Sequence, residues 1–385
     1  MSNSLILLLL MITTLSFFTN HNHALTLPSD ITALKAIKAS IEPKTIPQWS
    51  CLGSWNFTFD PCSLPHRTHF ICGITCNSDL TRITSIVLDP VGYSGTLSPL
   101  ISSLTQLTHI NLAENSFYGP IPSSISTLIN LENLVLSFNS FSGNLPLSLN
   151  SLKSLKVLDV SHNTLTGNLP NSFNSLFHLR SMDLSFNKFT GSLPKLPPNL
   201  ADLAIKANSL SGFLSESSFQ GLNQLEVVEL SANNFAGTLK NWFFQLPSLQ
   251  QINLSNNSFT GIEVPKSTSN LIAIDLGFNR IEGYLPVNFQ TFPYLSSLSL
   301  RYNKFRGPIP YGNTLSLRRL FLDGNFLNGK VPSRFFSNGS SSSPISGRFG
   351  DNCLESCPVS SELCLPSQKS ASVCKQAYGS KKPRV

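Results

Sequence analysis

From Ile83 onward, apolar residues return in one pattern, L-x-x-L-x-L-x-x-N-x-L/F-x-G-x-I/L-P. It starts at Ile83, Leu107, Leu131, Leu155, Leu179, Leu200, Leu225, Leu249, Leu271, Leu295 and Leu317. The first five starts are 24 residues apart and the later ones 21 to 25. Within each unit the L-x-L core alternates with period two, which predicts a short strand with one face buried. An asparagine column follows at Asn115, Asn139, Asn163, Asn187, Asn208, Asn233, Asn257, Asn279, Asn303 and Asn325, with Val91 in its place in the first unit. At the turn out of the strand an amide both donates to and accepts from backbone groups, so stacked asparagines can satisfy polar backbone buried at the bend. The glycine permits a tight bend, and the proline after it is expected to limit helix on the convex side. No unit can bury its apolar face alone. The pattern therefore predicts an α/β-type solenoid, a horseshoe or superhelix of about eleven repeats with a concave parallel sheet and capped ends.

Composition narrows the surroundings. Hydrophobic residues make up 41% and charged residues 12%, so Ser, Asn and Thr must cover much of the surface. The net charge of +7 is uneven: Glu362 is the last acid, and Lys369, Lys375, Lys381, Lys382 and Arg384 follow it. A nucleic-acid binder would spread basic residues along a working face, so none is expected. The tail reads as solvated, with weak contact to an acidic cell-wall polysaccharide as the other reading. Leu5 to Phe18 is apolar but short for a membrane span, and a small residue follows at Ala24, as in a secretory signal.

Eight cysteines lie outside the repeats. Cys51, Cys62, Cys72 and Cys76 precede them, and Cys353, Cys357, Cys364 and Cys374 follow. In an oxidising compartment, even numbers at both ends imply disulfide-stapled caps. The organisation read from this is a signal over 1–24, an N-terminal cysteine cap over 25–82 and eleven repeats over 83–336. A Ser/Gly-rich link over 337–350, a C-terminal cap over 351–376 and a basic tail over 377–385 complete it.

Several segments carry a family resemblance: Gly119-Pro120-Ile121-Pro122, Ser142-Gly143-Asn144-Leu145-Pro146, and a cap with Trp55, Asp60-Pro61-Cys62 and Cys72-Gly73-Ile74-Thr75-Cys76. Over nearly all of the mature chain the sequence resembles the plant extracellular leucine-rich-repeat proteins. That resemblance implies pairing of Cys62 with Cys76, leaving Cys51 with Cys72; the sequence leaves the C-terminal pairing open. The family includes receptor-kinase ectodomains, receptor-like proteins and polygalacturonase-inhibiting proteins. This chain departs from each. It shows neither a kinase nor a membrane stem, and Gly350-Asp351-Asn352-Cys353 and Cys374-Lys375-Gln376-Ala377-Tyr378 differ from the inhibitors' last cap. It looks like a soluble branch, secreted to the apoplast or cell wall, or held at the plasma membrane by a partner.

Eleven strands about 4.8 Å apart make a concave surface roughly 50 Å long, suited to a protein or an extended peptide. Its central column holds Val87, Asn111, Val135, Asp159, Asp183, Ala204, Glu229, Asn253, Asp275, Ser299 and Phe321. The position before the asparagine holds Phe138, His162 and Phe186 in successive repeats, then Phe278 and Tyr302. Arg301, Arg318 and Arg319 make the C-terminal end basic. The partner-binding residues expected from these columns are Phe138, Asp159, His162, Asp183, Phe186, Glu229, Arg301, Tyr302, Arg318 and Arg319, exposed aromatics being frequent interface anchors. The bland alternatives are rings that pack on one another and a solvated acidic column. Peptide-reading members of the family often carry Arg-x-Arg across a strand, which Ser299/Arg301 and Phe321/Asp323 do not supply. Sequons at Asn56, Asn253, Asn256 and Asn338 mark expected glycans. One on Asn253 would bias binding toward the stretch from Glu114 to Glu229.

Enzyme readings are weaker. Asp159 and Asp183 fall on adjacent strands at a glycosidase-like separation, but an open sheet has no pocket to raise one pKa. His162, Ser185 and Asp183 suggest a triad without a buried orienting acid. His66 and His69 beside Cys72 and Cys76 have metal-like spacing, yet secreted cysteines are expected oxidised. No catalysis, cofactor or metal is expected. The reading is a secreted binding protein, a soluble receptor-like or co-receptor component that recognises a protein or peptide, a membrane receptor kinase among the partners. The alternative is an inhibitor of a secreted cell-wall hydrolase.

Overall fold

The computed structural model describes residues 26–62, 72–266, 269–310, 317–336, 345–358 and 360–379. The signal segment, His66, His69, Asn338, Lys381, Lys382 and Arg384 lie outside the described residues.

Each L-x-L core is a strand of the concave sheet. Thirteen strands lie in one sheet among the described residues, in chain order from Ile74–Cys76 to Ser346–Arg348. The first is antiparallel to Ile83–Val87, and every later pairing is parallel with repeat-to-repeat register, such as Ser181 opposite Val157 and Asp183 opposite Asp159. The leucine columns point inward: Leu155, Leu158, Leu165 and Leu176 of one repeat are all at 0% exposure. Burial of this kind is worth about 1.5–3 kcal/mol per side chain, and neighbouring repeats share it.

The asparagines tie successive repeats together. Asn163 Nδ2 donates to Leu136 O of the preceding repeat at 2.9 Å and to Val160 O and Ser161 O at 3.2 and 3.0 Å. Its Oδ1 accepts from the Phe141 amide at 2.8 Å. The same arrangement recurs at Asn187, Asn233, Asn257 and Asn303.

The glycine–proline segment does more than bend. Among the described residues, Ser116–Pro120, Ser140–Asn144 and Thr164–Asn168 are strands of a second parallel sheet of eight strands, which a four-stranded sheet follows toward the C-terminus. Glycine is required here because Gly167 and Gly191 have φ of +79° and +82°. A Cβ on each would also stand 2.4 and 2.6 Å from the Asn144 and Asn168 side-chain oxygens, which lie across from the preceding repeat. The proline expected to limit helix instead opens the convex turn: Pro122 and Pro146 precede the 3₁₀ turns Ser123–Thr127 and Leu147–Ser151, where a missing N–H costs nothing.

At the N-terminal end the helix Pro28–Ala39 lays Ala33, Leu34 and Ile37 on the first repeat. Its buried Asp30 accepts from the Ile83 amide at 2.9 Å and pairs with Arg82 Nε at 3.1 Å. Disulfides join Cys51–Cys72 and Cys62–Cys76, as the family resemblance implied, and Trp55 Nε1 donates to Cys72 O at 3.0 Å.

At the C-terminal end Cys353 pairs with Cys374 and Cys357 with Cys364. Two features differ from the sequence reading. Ser346–Arg348, inside the expected link, is a twelfth parallel strand, and Asn352 takes the asparagine position: its Nδ2 donates to Leu322 O at 2.9 Å and its Oδ1 accepts from the Leu327 amide at 3.0 Å. The periodicity is hidden because Gly347 stands in a leucine column, where a Cβ would lie 1.9 Å from Leu320 O. Ala377 to Gly379, expected in the tail, belong to the helix Ala371–Gly379; Tyr378 Oη donates to Phe326 O and accepts from the Gly307 amide at 3.1 Å.

Candidate partner-binding face

The residue before each asparagine adopts a left-handed conformation, with φ of 53° at Phe138, 51° at His162, 54° at Phe186, 55° at Phe278 and 50° at Tyr302. Such backbone is unfavourable for bulky residues by about 1–2 kcal/mol. It persists because the turn is held from both sides: the Phe138 amide donates to Ser161 O of the following repeat at 3.0 Å, and Phe138 O accepts from the Asn115 amide of the preceding one at 3.1 Å. This turn brings the rings into register along the concave face.

The Phe138 and His162 rings stack with centroids 4.0 Å apart and planes at 11°, and His162 and Phe186 at 4.1 Å and 20°. Phe278 and Tyr302 form a second stack at 4.6 Å and 14°. Phe138 is 51% and Phe186 40% exposed, so the stacks pack along the solenoid and still offer surface. Between them the same column holds only Ala207, Ala232 and Asn256, all with φ of 52° to 53°.

The acids of the central column have a local task as well. Asp159 and Asp183 each accept the amide two residues on, from Ser161 and Ser185, at 2.9 Å, and Asp275 does the same for Gly277 at 2.8 Å. Glu229 accepts from the Ser231 amide at 3.1 Å and from Asn253 Nδ2 at 2.8 Å. The sheet brings Asp159 and Asp183 side by side as expected. At the edge of the sheet, a hydrogen bond from Lys156, 2.8 Å away, holds the Glu132 carboxyl below its ordinary range.

The basic end is not uniformly available. Arg301 Nη2 pairs with Asp323 at 2.6 Å, and the Asp323 side chain is wholly buried. The guanidinium carbon lies 5.8, 5.4 and 5.5 Å from the ring centres of Phe278, Tyr302 and Phe321. Arg301 is thus built into the second stack, whereas Arg318 and Arg319 are exposed. A depression of about 460 Å³, lined by Glu229, Asn253, Asp275, Phe278, Arg301, Arg319 and Phe321 among others, lies in the C-terminal half of the face. Asn253 is half-buried there, while Asn256 is exposed.

The sequence reading passed over Lys206, whose Nζ lies 5.6 Å from the Phe186 ring centre, and the buried acid Asp323. Asp202 and Arg348, on strands of the concave sheet, were also missed. A signal existed for two of them: Lys206 and Asp323 are charged residues in a column that holds serine at Ser137, Ser161, Ser185, Ser231 and Ser255. Ser185 Oγ accepts from the Lys206 amide at 3.1 Å, and the His162 ring is sandwiched between Phe138 and Phe186.

An open sheet of parallel strands tied from repeat to repeat by asparagines, with a second sheet beside it, defines a leucine-rich-repeat protein. The leucine-rich-repeat family profiles match residues 106–128, 129–189 and 198–259. Among solved structures, the plant peptide hormone receptor RGFR1, in complex with RGF2, is 31% identical over 68% of this chain and 42% of its own, with a TM-score of 0.63. The Arabidopsis receptor kinase HAESA, in complex with the peptide hormone IDA and the co-receptor SERK1, is 28% identical over 84% of this chain and 58% of its own, also at 0.63. This chain therefore spans about half the length of those receptor chains. A plant ice-binding protein, 23% identical, covers 90% of this chain and 99% of its own at a TM-score of 0.59, a likeness of fold alone. No curated protein sequence matches the chain. The chain carries leucine-rich repeats, and its likeness to plant receptor ectodomains is consistent with a plant extracellular leucine-rich-repeat family. The fold is one typical of binding receptors rather than enzymes, and no helix among the described residues is long and apolar enough to cross a membrane.

Proposed function

We propose that this chain is an extracellular binding protein that recognises an extended peptide or a protein segment on its concave face, as a soluble receptor-like or co-receptor component. The observation that carries this reading is the pair of exposed, in-register aromatic stacks on that face. Rings already stacked have little conformational freedom left to lose, so burying them under a partner returns most of the hydrophobic gain. The likeness to RGFR1 and HAESA, each solved with a peptide hormone, supports the same reading. We further propose that Asn56, an exposed sequon asparagine on the N-terminal cap, carries a glycan.

The test is capture from extracellular fluid and plasma-membrane extract by the mature chain, beside a Phe138→Asp/Phe186→Asp variant of unchanged melting temperature. Retention of a peptide or a receptor kinase by the wild type, reduced about tenfold or more in the variant, supports the proposal. Retention of a hydrolase whose rate falls on binding points to the inhibitor reading. Equal retention by both chains removes the concave face from consideration.

A further inference from the structure

The two aromatic stacks are separated by a gap of defined length, and that length constrains what lies across it. Phe186 belongs to the repeat of strand Ser181–Asp183 and Phe278 to that of Ala273–Asp275, four strand steps away in the sheet. At about 4.8 Å per step the gap is about 19 Å, and an extended chain rising about 3.3 Å per residue crosses it in about six residues. Six is even, so residues that far apart point to the same face of an extended chain. A strand-like segment can thus seat an apolar side chain on each stack without twisting.

The floor between the stacks suits such a segment. In the aromatic column it holds Ala207, Ala232 and Asn256, leaving room for a backbone to lie close. The concave positions over this span carry the acids Asp183, Asp202, Glu229 and Asp275 against one cation, Lys206. Lys206 leans on the Phe186 ring at 5.6 Å, and Arg301 on Phe278 at 5.8 Å with its charge offset by Asp323. The open middle is therefore acidic and its two ends are aromatic.

Resting on the concave-face reading above, we infer that the partner is an extended peptide segment with two apolar residues six positions apart and a basic residue between them. Both the anchor spacing and the central charge follow from this chain's own register, and both can be moved by substitution. Asn256→Phe extends the second stack by one repeat toward the first. The position already has the left-handed backbone at which Phe138, Phe186 and Phe278 sit, so the change is compatible with the fold. The gap then becomes three steps, about 14 Å, or about four residues, again an even number.

The experiment measures binding of synthetic ten-residue peptides with a Ser/Gly/Thr background, two phenylalanines at spacings from three to eight, and Lys or Glu midway. Wild type, Asn256→Phe, Phe186→Ser and Ser258→Ala chains are compared; the last removes the Asn256 sequon. The expected result is tightest binding at a spacing of six with Lys, about tenfold over other spacings and over Glu, and an optimum that moves to four in Asn256→Phe. An optimum elsewhere, one that Asn256→Phe leaves in place, or a preference for Glu overturns the inference. If binding with a wrong optimum is still lost in Phe186→Ser, the concave face survives as the site and only the spacing fails. Peptides that bind Phe186→Ser as well as wild type overturn the concave-face reading itself. Binding by Ser258→Ala alone assigns the gap to a glycan and overturns the inference, as does the absence of binding by every peptide.

Discussion

Replacing Asn163 by alanine probes what holds this solenoid together. Asn163 is 8% exposed and its amide serves one amide and three carbonyls, two of its partners belonging to the preceding repeat. Alanine leaves the Phe141 N–H without its Asn163 partner in a region where Phe141 is at 0% exposure, while the Leu136 carbonyl keeps its bond from Asn139 Nδ2 at 3.2 Å. A buried group left unsatisfied costs about 1–3 kcal/mol. The Val160 and Ser161 carbonyls, bonded within the same turn, add less. Because a repeat interacts chiefly with its neighbours, the loss should be local. The assay is native-state hydrogen exchange with thermal melting as the global measure. The Phe141 amide should exchange at least about fivefold faster, the lower end of that range expressed as a rate. Asn168→Ala is the control: Asn168 is exposed, and its oxygen accepts from the Thr190 hydroxyl at 3.1 Å. If Asn163→Ala leaves Phe141 as protected as that control does, the asparagine column is not the tie between repeats, and leucine packing alone would have to hold the register.

Three further outcomes are expected. The Tyr93 hydroxyl, buried and donating to Asp89, is pushed up to about 12; unfolded tyrosine ionises near pH 10, so the stability this group contributes is complete below about pH 10 and is lost as pH rises toward 12. A Tyr93→Phe chain followed by near-ultraviolet circular dichroism should lose that alkaline step. Arg301→Met strands the wholly buried Asp323 carboxylate, which should destabilise the C-terminal repeats by about 3–5 kcal/mol; Arg301→Met/Asp323→Leu should recover most of the lost melting temperature. Removing the Cys353–Cys374 disulfide, which spans 21 residues, by a double serine change should cost about 3 kcal/mol and open the helix Ala371–Gly379 to limited proteolysis before any repeat is cut.

Much of this protein was legible in one dimension because a solenoid repeats its local instructions. The L-x-L strands, the asparagine ladder and the central and aromatic columns are all consequences of period, and the structure places Phe138, His162 and Phe186 in the order the columns implied. Where the period lapses, the chain alone misleads: the twelfth strand is masked by Gly347 in a leucine column, and only the approach of Leu320 O explains why a leucine cannot stand there. The second sheet was hidden for another reason. A strand is defined by its partner, and Ser140–Asn144 has none until Ser116–Pro120 and Thr164–Asn168 lie beside it. The site shows the same division. Sequence placed the aromatics and acids in columns. The stacking distances, the turn-capping by Asp159 and Asp183, the capture of Arg301 by Asp323, and the gap between the stacks come from backbone that only the stacked repeats can hold in the left-handed conformation.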